Sequence, residues 1–95
     1  MHFHLTRTLR TPYSERFLLS DGDGDFAALD IHYLLDGRVN ATVAVFDGAK
    51  LRESDLPALL ARIDDMLLPD VSVEENNLIF TVVMGKVVGA FTAGA

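Results

Sequence analysis

Residues 26–46 read "FAALDIHYLLDGRVNATVAVF", two apolar-rich runs on either side of an Asp-Gly pair. No other stretch of the chain restricts the fold so tightly. Asp-Gly between alternating hydrophobic runs marks a β-hairpin, and the loop length then decides which side chains share a face. A two-residue loop sets Leu35 against Arg38 and Tyr33 against Asn40, apolar against polar along the whole ribbon. A three-residue loop, Leu35-Asp36-Gly37 with Gly37 at positive φ, sets Tyr33 against Val39, Ile31 against Ala41, Leu29 against Val43 and Ala27 against Val45. One face is then uniformly apolar. A one-residue slip turns every side chain to the opposite face, so the three-residue loop is expected. On the other face Phe26 meets Phe46, Ala28 meets Ala44, Asp30 meets Thr42 and His32 meets Asn40.

The neighbouring segments extend this ribbon. Residues 2–10 alternate, with Phe3, Leu5 and Leu9 on one side and Arg7 interrupting it. Period two indicates a half-buried strand. "TPYSE" (11–15) punctuates it, because Pro12 cannot donate to a ladder. "RFLLS" (16–20) is the next short strand.

"SDGDGD" (20–25) then poses a choice between a calcium loop and a turn. A helix–loop–helix calcium loop opened by Asp21, Asp23 and Asp25 needs glycine at its sixth position and glutamate at its twelfth. The chain has Phe26 and His32 there, between strands rather than helices. A five-residue loop over 21–25 accounts for the residues better, with glycine supplying positive φ and aspartate capping the turn. It pairs Leu19 with Ala27, Phe17 with Leu29 and Arg16 with Asp30.

"ESDLPALLARIDDMLLP" (53–69) is the one clear helix. Ser54 suits the N-cap, Asp55 the positive end, and Pro57 the first turn. Leu56, Leu59, Leu60, Ile63 and Leu67 make an apolar stripe of helical period. "VSVEENNLIFTVV" (71–83) reads as a closing hairpin that turns at Asn76-Asn77. The chain stays apolar to Phe91. One straight strand over 78–91 would span about 46 Å, against about 32 Å for a domain of this size. Either Gly85-Lys86 makes a second turn or Gly85 is a bulge.

These elements predict one α+β domain over residues 1–95. Its antiparallel sheet has six or seven strands in the order ββββ-α-ββ(β), with one helix on one face. The chain is 49% hydrophobic, more than one small core absorbs, so part of that surface is expected at a subunit interface. A net charge of −6 disfavours nucleic acid. No cysteine is present for a thiolate or a zinc–sulfur site. No apolar run is long enough for a membrane helix, and nothing at the N-terminus resembles a signal peptide. A cytoplasmic protein is expected, without a cofactor and without a membrane or nucleic-acid partner.

The densest chemistry falls on the polar end of the second sheet face. His32 beside Asp30 has the makings of an oriented acid–base pair, and these two are the catalytic candidates. Arg16 could hold an anionic group, with Asn40 and Thr42 as further ligand-binding candidates. The plainer reading is a solvated face with a cross-strand ion pair, and it is preferred. Asp21, Asp23 and Asp25 are the candidates for a weak divalent-ion site, and His2, His4 and His32 for zinc. No serine has a nucleophile context, and no glycine-rich phosphate loop precedes a helix. The leading expectation is therefore a small non-catalytic interaction or scaffold domain that self-associates through sheet surface.

Overall fold

The computed structural model describes residues 2–67, 78–85 and 89–91. Four strands form an antiparallel meander: β1 (His4–Thr11), β2 (Ser14–Asp21), β3 (Gly24–Tyr33) and β4 (Val39–Phe46). A 3-10 turn (Glu53–Asp55) leads into α1 (Leu56–Leu67), and β5 (Leu78–Gly85) lies beside β4. Among the described residues this is an α+β fold with one helix and a five-stranded sheet in the order β1-β2-β3-β4-β5.

The expectation of a wholly antiparallel sheet is corrected. Five strands are described, and β5 runs parallel to β4, with Val39 opposite Leu78 and Phe46 opposite Gly85. The physical reason is the helix. A strand, a helical crossover and a second strand return the chain in its original direction, which is the ordinary way to make a parallel pair. The predicted partner of residues 78–83, in 71–77, lies outside the described residues. So does a turn at Gly85-Lys86, beyond Gly85, where β5 ends.

The central hairpin is as the sequence predicts. Ala27 to Tyr33 pair with Val45 to Val39 in the three-residue-loop register, and Gly37 has φ +89°. Asp36 closes the loop. Its carboxylate accepts the Arg38 backbone N–H at 3.1 Å and Arg38 Nε at 2.7 Å. The backbone bond foremost, then the guanidinium, holds the Asp36 carboxyl below its usual value.

Two β-bulges depart from strict alternation. Between Arg7 and Leu9 the pairing shifts, so that Arg7 lies opposite Phe17 but Leu9 opposite Arg16. The Thr8 hydroxyl donates to the Arg16 carbonyl at 3.3 Å. Leu9 therefore joins the second face, not the row of Phe3 and Leu5. The other shift lies beside the Asp-Gly stretch. Leu19 pairs with Ala27, but Ser20 pairs with Asp25 and Asp21 with Gly24. The loop is thus a two-residue turn, Gly22-Asp23, rather than five residues. Gly24 has φ +114°, and the Asp23 N–H bonds Asp21 Oδ1 at 2.8 Å. Phe26 is the extra residue. It meets the Phe3 ring edge-on, with centroids 6.0 Å apart, and packs beside the core.

The core is the sheet face built from Phe17, Leu19, Leu29, Ile31, Val43 and Val45, with the helix residues Leu59 and Ile63 fully buried against it. Leu56, Leu60 and Leu67 complete the stripe as half-buried residues. The approach to the helix differs from the expected Ser54 cap: Asp55 reaches back, its carboxylate accepting the Arg52 N–H at 2.9 Å. Leu78, Phe80 and Val82 of β5 also pack on the core. No helix among the described residues is long and apolar enough to cross a membrane.

Candidate functional site

Register places side chains on the second sheet face in rows that cross all five strands. One row is Thr6, Leu18, Ala28, Ala44 and Val83. The next is Leu9, Arg16, Asp30, Thr42 and Thr81, followed by Thr11, Ser14, His32, Asn40 and Ile79. The face is therefore apolar and small-residued along one row and polar along its neighbour. Ile79 and Val83, both on β5, are each 49% exposed.

All five residues proposed for the polar patch are on adjoining strands of this face. Arg16 lies opposite Asp30, its Nε donating to Oδ1 at 2.7 Å. Asp30 faces Thr42, and His32 faces Asn40 on one side and Ser14 on the other. The Arg16 charge is already engaged by Asp30, leaving the pair neutral. His32 is exposed.

The aspartates of the Asp-Gly stretch point to local tasks. Asp21 caps its own turn, and Asp23 lies 3.7 Å from Lys50 Nζ. No cluster of three or more metal-ligating side chains occurs among the described residues. Two open cavities, of about 380 and 400 Å³, meet at this end of the sheet around Asp21, Phe26, Ala49 and Lys50. Neither is lined by Arg16, Asp30 or His32. Among the proposed zinc candidates, His2 borders the first cavity, His4 lies opposite Ser20 at the sheet edge, and His32 sits opposite Ser14.

The most heavily interacting polar group is one the sequence reading missed. Glu15 is 6% exposed, on the core-side face. Its Oε2 accepts the Tyr33 hydroxyl. Oε1 lies 2.7 Å from Arg10 Nη1 and 3.0 Å from Arg7 Nη2, close charge contacts made off the hydrogen-bonding angle. Arg7 stacks over Phe17 at 5.5 Å and Arg10 over Tyr33 at 6.0 Å. The guanidinium heads thus lie over aromatic rings while the two side chains stay about half exposed. Burial pushes the Glu15 carboxyl up. The Tyr33 hydroxyl and the Arg10 and Arg7 guanidiniums outweigh it and leave the group below its ordinary value. Burial, then Glu15, raises the Tyr33 hydroxyl. A signal was present: Glu15 is in step with Phe17 and Leu19, so alternation alone puts it on the core side.

The two edges of the sheet differ. β1 carries Arg7, Arg10 and a bulge, each a device that discourages a further strand. β5 reads "LIFTVVMG", eight residues without a charge or proline, and no register shift interrupts its pairing with β4. Comparison with protein families, characterised proteins and solved structures finds no match to this chain.

Proposed function

We propose that the protein is a small non-catalytic interaction domain whose copies associate through the apolar sheet surface that the helix leaves uncovered. The observation that carries this reading is the half-exposure of Ile79 and Val83 on an uncharged edge strand. Large apolar side chains that lie together on a sheet edge gain by excluding water against a partner, and twofold association of like copies is the commonest arrangement. The Arg16–Asp30 pair fits the same role, because its two charges cancel one another on the open face. A ligand site at Arg16, Asp30 and His32 has less behind it, since the arginine is engaged and the patch lies apart from both cavities.

Light scattering at micromolar concentration tests the reading. The expected mass is twice the 10.4 kDa of one chain or more, falling toward 10.4 kDa on Val83→Asp while circular dichroism is unchanged. A mass of one chain, the same for wild type and variant, would reject it.

A further inference from the structure

We infer that the partner is a second copy of this chain docked edge to edge, β5 against β5, antiparallel about a twofold axis at Thr81. This deepens the self-association reading and rests on it. Three observations lead here. Among the described residues β5 pairs only with β4, and no described strand lies along its other row of backbone N–H and C=O groups. The strand carries no charge, so two copies of an acidic chain can meet there without like-charge repulsion. The opposite edge, β1, has two arginines and a bulge, which leaves β5 as the edge fit for pairing.

Symmetry then fixes the register. A twofold axis normal to the sheet keeps each face on its own side, so paired residues must share parity. Centring on Thr81 sets Thr81 against itself, Ile79 against Val83, Phe80 against Val82 and Leu78 against Met84. Ile79, Val83 and Met84 are the exposed large apolar residues of β5, and this register gives each an apolar partner. Centring on Val82 instead sets Ile79 against Gly85 and Val83 against Thr81, which leaves both half-exposed residues without apolar partners. Two five-stranded sheets join into one continuous sheet with the helices on the same side.

Disulfide trapping tests the register, because the chain has no cysteine of its own. Directly opposed residues of an antiparallel pair have Cα atoms about 4.5 or 5.5 Å apart, and both separations suit a disulfide. In a glutathione redox buffer, Thr81→Cys should convert most of the chain to a covalent dimer. Ile79→Cys alone should not, since its symmetry mate lies four residues along, about 13 Å away. The double variant Ile79→Cys/Val83→Cys should crosslink. Leu35→Cys, on an exposed loop, gives the collisional background. A wild-type dimer in which Thr81→Cys stays at that background overturns the register, even though self-association stands. A wild-type chain that scatters as a monomer overturns the underlying reading as well.

Discussion

Leu29→Ala should lower the stability of the fold by about 2–5 kcal/mol. Leu29 is 0% exposed at the centre of the sheet, between Phe17 on β2 and Val43 on β4. Truncating it removes apolar contacts on both sides and leaves a cavity that flanking strands cannot collapse without breaking their ladders. The whole stability of a domain this size is about 5–15 kcal/mol, so a large share is at stake. Each kcal/mol moves the midpoint by about 4–8 °C for a chain of this length. Leu35→Ala is the matched control. Leu35 is 93% exposed in the hairpin loop, and its truncation should change stability by less than about 0.5 kcal/mol. Both are measured by urea titration at one protein concentration, since association shifts the apparent midpoint. Equal losses at the two positions would contradict the assignment of the core face.

Glu15→Gln should cost about 1–3 kcal/mol at neutral pH, and that cost should vanish in acid. The carboxylate accepts from Tyr33 and offsets the charge of the two nearby guanidiniums in part, and the amide serves neither role as well. Both arginines are half-exposed and recover water when unpaired, which keeps the loss at the modest end. The Glu15 carboxyl is depressed in the folded state, from an ordinary value of 4.5. Its contribution is therefore complete above that value and lost as the pH falls through the lower folded one. The gap between wild type and variant should close from about pH 5 downward. Tyr33 behaves in the opposite sense. Its hydroxyl is raised from 10.0, so its contribution is complete below pH 10 and lost as the pH rises through the folded value. Chemical denaturation of both proteins across the acid range checks this. A gap as wide at pH 3 as at pH 7 would show that the charge of Glu15 is not what the network uses.

The parts of the fold legible in the sequence are those set by local pattern. Asp-Gly between alternating runs set the register of the central hairpin from Ala27 to Tyr33, because only one loop length leaves a uniformly apolar face. The stripe from Leu56 to Leu67 identified the helix and its buried side. Alternation reports which face a residue takes, not which strand it pairs with or in which direction. The parallel pairing of β4 with β5 was therefore missed, although a helix between two apolar runs is the usual mark of a crossover. Bulges were invisible for a related reason. An extra residue at Thr8 or Phe26 changes parity without changing composition, and so moved Leu9 to the second face and Phe26 toward the core. The polar patch survived because Arg16, Asp30, His32, Asn40 and Thr42 all lie on the regular side of both bulges. Glu15 escaped notice because "TPYSE" reads as punctuation, which sets it before the strand at 16–20, whereas β2 already begins at Ser14. Its partners, Arg10 and Tyr33, come from two other strands.

Native-state hydrogen exchange of the β5 amides at two protein concentrations reads the proposed contact strand itself. Amides of an edge strand that do not bond β4 exchange freely unless another strand covers them. With copies joined through β5, the outward-facing amides between Leu78 and Gly85 should be protected at high concentration and lose that protection on dilution, while those of β2 and β3 do not change. Protection in β5 that is the same at both concentrations, with light scattering recording one chain throughout, would rule out association through β5.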